Sequence, residues 1–384
     1  MKKYTKLFIG TLCFLSAASV FAGNYKGDLK GEALMPVTIP NFDGGFAISA
    51  GALYMEPTSS NLDYMGSYTS LDSGSIDRWQ HYRVDPNFSW GFTVGLGYVF
   101  ANSANDARVD WMSFHNDYSD DQYLLGVTNN GQVATFWPTW AKGLTEGEDL
   151  TASGKMEYGF DAVDFTFGQY VNFGQRFMAR FAAGLRWAQL DSDLSTSYKW
   201  TDYASGGNLN LEHWDGKIKS HFDGLGPVFS VKGDYALGGG VSLVGMFDMA
   251  VLVSNVTLKA NMDYLAQTSV IPDGGGDPVV TDVLKVNDVL NWDDYCTLVT
   301  PAFDGKFGLH YAHDWGNGMN MGVELGYQVT KYIDVVQQID RSDSYETYTP
   351  GSQSTNTAID PDYFSTDVTN FGLNGMYITV SLSM

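Results

Sequence analysis

The sequence predicts an all-β fold: a transmembrane antiparallel up-and-down β-barrel of about ten strands, or about twelve, with short periplasmic turns and long extracellular loops. Three observations predict it. Stretches of period-two alternation recur along the chain at the length a tilted membrane strand needs. The connections between them are short and long by turns. The chain opens on an export signal.

The composition fits one large β protein. The 384 residues carry 22 Lys+Arg against 44 Asp+Glu, a net charge of −22. Only 17% are charged, 15% are aromatic and 43 are glycine, which suits a large sheet better than several helical domains. The acidic balance argues against nucleic acid as a partner, because neutralising phosphates takes Lys and Arg. Two cysteines exclude a disulfide scaffold or a thiolate zinc site.

The first element is an address. Lys2, Lys3 and Lys6 precede the apolar run Leu7 to Val20, and Val20-Phe21-Ala22 ends in a small residue. Residues 1–22 read as a signal peptide cleaved before Gly23, leaving 23–384 as the barrel. Cys13 leaves with it, so Cys296 stands alone and cannot form an internal disulfide. Nowhere in 23–384 do about 18 apolar residues run together, so no transmembrane helix is expected.

The strands follow. Trp90, Phe92, Val94, Leu96, Tyr98 and Phe100 alternate with Gly91, Thr93, Gly95, Gly97 and Val99. Phe177, Ala179, Phe181, Ala183, Leu185 and Trp187 oppose Arg176, Arg180, Gly184 and Arg186. Val241, Leu243, Phe247, Met249, Val251 and Val253 oppose Ser242, Asp248 and Ser254. Val299, Phe303, Phe307, Leu309 and Tyr311 oppose Thr300, Asp304, Lys306 and His310. Met321 to Val329 opposes Glu324, Gln328 and Thr330, and Met376 to Met384 closes the series. Weaker patterns cover 45–56, 106–115, 156–171 and 219–236. In 156–171 the apolar phase shifts after Ala162, which predicts a bulge there. Pro227 lacks a ladder donor and is expected at an edge or bulge.

Short turns are expected at 101–105, 172–175, 237–240 and 314–317, and long loops at 57–88, 116–155, 191–218, 255–295 and 333–369. Strand-like pieces inside these loops, such as Ser195–Trp200 and Val279–Val286, allow strands that project beyond the membrane. In hydrocarbon every backbone group needs a partner, and only a closed sheet removes the edges. The outward face can then be apolar and the inward face charged. Trp79, Trp90, Tyr98, Trp111, Trp187, Tyr311 and Tyr332 are the expected interfacial girdles.

The stretches Asp106-Ala-Arg-Val-Asp-Trp111, Phe181-Ala-Ala-Gly-Leu-Arg-Trp-Ala188, Phe222-Asp-Gly-Leu-Gly-Pro227, Gly322-Val-Glu-Leu-Gly-Tyr327 and Asn370-Phe-Gly-Leu-Asn-Gly375 resemble the Legionella major outer membrane protein family. They are spread across the mature chain. The resemblance implies an outer-membrane location and a porin-like barrel. The best-known members look cross-linked through cysteines, and this chain departs from that with Cys296 alone.

The candidate pore-lining residues are Arg176, Arg180, Arg186, Asp248, Asp304, Lys306 and Glu324. An inward arginine row either attracts anions along a pore or is locked in salt bridges with Asp248, Asp304 and Glu324. A lumen of about ten strands should be narrow or plugged, since open aqueous channels come at around sixteen. No phosphate loop, His-Glu-x-x-His or Gly-x-Ser-x-Gly motif is present, and no catalytic residue, metal or cofactor is expected. Passive passage of small solutes is therefore the first functional expectation. A structural or adhesive barrel with host-facing loops is the second. An omptin-like surface protease using Glu212-His213-Trp214-Asp215 is the third. The acidic sets Asp117, Asp120, Asp121, Glu146, Glu148, Asp149 and Asp273, Asp277, Asp282, Asp288, Asp293, Asp294 either solvate loops or bind divalent cations bridging to lipopolysaccharide. The expected partners are outer-membrane lipid, lipopolysaccharide and small solutes. Nothing in the sequence marks an oligomeric interface.

Overall fold

The structure, a computed structural model, describes residues 37–384 except 61, 73–74, 126–132, 139–148, 205–207, 271–278, 316–318 and 342–363. The expected signal peptide lies outside the described residues. No helix among the described residues is long and apolar enough to cross a membrane. Ten strands form the wall. They are β1 Gly45–Ser59, β2 Ser89–Val99, β3 Asn105–Leu125, β4 Asp149–Phe173, β5 Phe177–Ala204, β6 Asn208–Gly238, β7 Val241–Val270, β8 Val279–Asp314, β9 Asn320–Arg341 and β10 Phe364–Ser383. Each pairs antiparallel with its sequence neighbours. β10 returns to β1, from Phe371↔Ser59 to Ser383↔Ala47, so the sheet closes into a ring.

Three of the short turns fall where the sequence placed them, and the fourth, at 314–317, lies mostly outside the described residues. The β6–β7 turn needs its glycines, since Gly238, Gly239 and Gly240 have φ of 111°, 63° and 82°. The long connections are shorter than expected, because the strands continue above the membrane. Segments 191–218 and 255–295 are mostly strand, and 116–155 and 333–369 give their ends to β3, β4, β9 and β10. Segment 57–88 instead holds two strands, Asp63–Asp72 and Ser75–Arg83, which join Val133–Pro138 in a separate three-stranded sheet. Trp79 belongs to that sheet and not to a barrel girdle.

Register gives the wall a clear stratification. Trp111, Val163, Trp187, Leu225, Val253 and Val299 lie side by side across β3 to β8. Above them comes a polar row, Ser113, Asp161, Gln189, Asp223, Asn255 and Thr297. The indole N–H of Trp111 donates to Asp161 at 3.1 Å and that of Trp187 to Asp223 at 2.6 Å. These tryptophans mark the outer boundary of the lipid band. Below the boundary, exposed Phe165, Phe229, Phe247, Phe307 and Tyr327 face lipid.

No bulge interrupts β4 at Ala162, whose register with β3 and β5 is continuous. The apparent phase slip has another cause. Met156, Tyr158 and Phe160 point into an apolar upper lumen and are buried, whereas Phe165 and Phe167 point to lipid and are exposed. Pro227 sits mid-strand on the exposed face of β6, and the ladder to β7 skips Gly226 and Pro227. That skip meets the donor problem without an edge or an inserted residue.

Candidate functional site: the charged lumen

The inward faces of the strands form three layers. Nearest the periplasmic turns, Asp106 is fully buried and accepts hydrogen bonds from Arg180 Nε, 2.9 Å to each oxygen, and from Arg108 Nε at 2.7 Å. Arg180 Nη2 also donates to Thr166 at 3.1 Å, and Arg108 Nη2 donates to the Tyr170 hydroxyl. A second cluster spans the lumen. Lys232 on β6 donates to Glu324 on β9 at 3.1 Å, and the Tyr377 hydroxyl donates to the same carboxylate at 2.8 Å. Lys306 sits 5.6 Å from the centre of the Tyr377 ring. His310 Nδ1 lies 3.9 Å from Asp234.

The middle layer centres on Arg186. Its Nε and Nη2 each donate to Asp164 at 2.6 Å, and its Nη1 donates to Asp304 across the lumen. Asp248 follows at 3.7 Å. Asp248 and Asp304 are direct cross-strand neighbours, so one guanidinium serves like charges that would otherwise repel.

The upper layer is apolar. Phe222, Tyr332, Phe160, Phe371 and Tyr158, from β6, β9, β4 and β10, form a chain of rings with centroids 5.2 to 6.3 Å apart. Leu53, Met156, Leu190, Leu252 and Val256 pack in the same cluster. From above, Leu62, Tyr64, Met65 and Val84 of the first extracellular segment join it. The Tyr198 hydroxyl donates to the Tyr64 carbonyl, and the Tyr64 hydroxyl donates to Asp120 at 3.0 Å. Gly154 makes room for this tyrosine, since a Cβ there would lie 2.7 Å from its ring. Burial and the Asp120 carboxylate push the Tyr64 phenol pKa up, and burial does the same to Tyr198.

Of the residues singled out from sequence, Arg180, Arg186, Asp248, Asp304, Lys306 and Glu324 lie on the inward face. Arg176 does not. β5 starts at Phe177, so Arg176 is exposed in the β4–β5 turn, where its carbonyl accepts the Ala236 N–H. Tyr332 was expected in a girdle, but it is buried in the lumen. Asp106, Arg108, Asp164, Tyr170 and Lys232 were missed. The phase of Val109 and Trp111 already implied that Asp106 and Arg108 face inward.

Glu212 to Asp215 lie in β6 and not in a loop. His213 Nε2 sits 2.9 Å from Asp215 and 3.0 Å from Ser197 Oγ. One nitrogen meets both groups, so the ring cannot relay a proton between them as a catalytic triad does. Asp117, Asp120, Asp121, Asp149, Asp282, Asp288, Asp293 and Asp294 are strand residues, while Glu146, Glu148, Asp273 and Asp277 lie outside the described residues. Among the described residues no three His, Cys, Asp or Glu are grouped to hold a metal ion.

A family model described as Legionella pneumophila major outer membrane protein precursor matches residues 38–384. No curated protein matches the chain. Among solved structures, the outer membrane protease OmpT of Escherichia coli is 8% identical, with 90% of this chain and 98% of that chain covered and a TM-score of 0.38. The toluene transporter TodX of Pseudomonas putida is 8% identical over 88% and 89%, with a TM-score of 0.25. A major outer membrane protein of Thermus thermophilus is 11% identical over 89% and 100%, with a TM-score of 0.25.

Proposed function

The chain belongs to the Legionella major outer membrane protein family, and from that premise we propose that it is a non-enzymatic, porin-like barrel passing small solutes passively across the outer membrane. One observation carries the reading. Through the lipid band the outward face is apolar while the inward face holds Arg180, Arg186, Asp304, Lys232 and Glu324. Charge inside a membrane is costly and marks a solute path or a structural lock. The path is narrow, and the ring chain and the Tyr64 segment close it above. Conduction then requires displacement of that segment and rotation of the rings beneath it. Single-channel conductance in a planar bilayer tests this. Discrete steps that grow in frequency when residues 62–84 are replaced by a short Gly-Ser linker support a gated pore. A folded barrel silent in both forms removes it.

A second reading has its own observation. In β7 the outward residues turn polar from Asn255 onward, and the strand continues to Val270. At about 3.4 Å per residue and a tilt near 40°, this wall rises roughly 40 Å above the lipid. Such a wall suits a barrel that displays a surface to neighbours or host ligands. Loss of surface attachment on shortening the projecting strands, with conductance kept, would favour it.

A further inference from the structure

The outer wall of β3 to β7 holds a dip of about 420 Å³ just above the lipid band. Its floor is Gly159, where an added Cβ would meet nothing nearer than Asp191 Cβ at 3.8 Å and His115 Nδ1 at 4.0 Å. The register explains its place. His115, Gly159, Asp191, His221 and Thr257 form the second polar row above Trp111 and Trp187. Asp117, Glu157, Asp193, Lys219 and Lys259 form the third. Each row adds about 5 Å of height, so the dip lies some 10–15 Å above the tryptophans. A bilayer's headgroup zone ends roughly 5–8 Å beyond the hydrocarbon, so only a headgroup larger than a simple phosphodiester fills this height.

The dip lies on the outward face of the wall, so whatever fills it stands beside the barrel, above the ordinary headgroup zone. One wall is basic and loosely held. Lys259 Nζ is 3.9 Å from Asp293, and Lys219 Nζ is 3.4 Å from Asp193, which it shares with Lys217. Exposed pairs of this kind are worth little, so the lysines can turn to a new anion at small cost. The other wall is Asp191, paired with His221 at 2.6 Å, and Glu157, paired with Lys155 at 2.6 Å; the remaining lone pairs of these carboxylates suit sugar hydroxyls.

We propose that this dip seats the phosphorylated sugar headgroup of an outer-leaflet glycolipid, with Lys219 and Lys259 facing phosphate and Asp191 and Glu157 facing hydroxyls. The seat depends on membrane insertion and not on whether the lumen conducts.

The folded protein in detergent tests it, with heat-modifiable gel mobility reporting the unfolding temperature. Purified lipopolysaccharide should raise that temperature, whereas dephosphorylated lipopolysaccharide, phosphatidylglycerol vesicles and inorganic phosphate should not. Gly159→Trp fills the dip without changing a charge, and Lys219→Gln with Lys259→Gln neutralises the basic wall. Both should lose the increment while keeping the lipid-free unfolding temperature. An increment kept in both variants overturns the site. So does an equal increment from phosphatidylglycerol or phosphate, or none with lipopolysaccharide.

Discussion

Arg186 on β5 and Asp164 on β4 are joined by two parallel hydrogen bonds, Nε to Oδ1 and Nη2 to Oδ2, each 2.6 Å long. The fork fixes the guanidinium so that Nη1 reaches Asp304 across the lumen. Arg186 is nearly fully buried. Removing it leaves Asp164, Asp248 and Asp304 facing one another without a countercharge. Arg186→Met should therefore cost about 3–5 kcal/mol. Urea unfolding followed by gel mobility measures it. Adding Asp164→Asn and Asp304→Asn should recover much of the loss, because the burden is uncompensated charge and not lost volume. A variant as stable as the parent would show that this layer is not a lock.

Arg176 and Arg180 share a face in the sequence and part company in the structure. Arg176→Gln lies in an exposed turn and should change stability by less than about 0.5 kcal/mol. It should also leave ion selectivity unmoved. Arg180→Gln leaves Asp106 with Arg108 as its one remaining arginine and should destabilise by more than Arg176→Gln does. If the barrel conducts, it should shift the reversal potential in a salt gradient. A selectivity change from Arg176→Gln would return that residue to the pore.

Tyr64 and Tyr198 make the extracellular closure sensitive to base. Both phenols have pKa values raised above the free value. Once released, each ionises near pH ~10. The seated form keeps its protons while the released form loses them, so the closure is fully stable below ~10 and weakens as pH rises further. Protease cleavage within 62–84 should accelerate as pH rises above ~10. Tyr64→Phe with Tyr198→Phe should flatten that rise. A rise unchanged in the double variant would trace it to other groups.

The sequence made the wall legible because lipid and lumen impose opposite demands on alternate residues. Trp90 to Phe100 and Val241 to Val253 could hardly be anything else. Lys217, Asn261 and Asp263 gave no such signal. Above the lipid the outward face meets water, so it loses the apolar half of the pattern while the sheet continues. The same limit applied to the lumen. Asp164 stands between Val163 and Phe165, and its role follows only from Arg186 crossing to β8. Tyr332 was read as a girdle aromatic because burial in a lumen and exposure to lipid both favour an aromatic side chain.

β4 offers the sharpest test of this stratification, because its apolar residues change face within a few positions. Phe165 is exposed to lipid and Phe160 is buried in the ring chain. Phe167→Lys, two rows inside the tryptophan boundary on the same exposed face, should cost about 2–4 kcal/mol in a bilayer, the penalty of a cation on the lipid face near mid-depth. In lauryl-chain micelles it should cost much less, since the head can reach water. Phe160→Ala should cost about 3–5 kcal/mol in either medium, because it opens a cavity among Tyr158, Tyr332 and Phe371. Gel mobility after unfolding in bilayers and in micelles separates the two. Equal medium dependence for both variants would mean that β4 is bulged at Ala162 after all and both rings share one face.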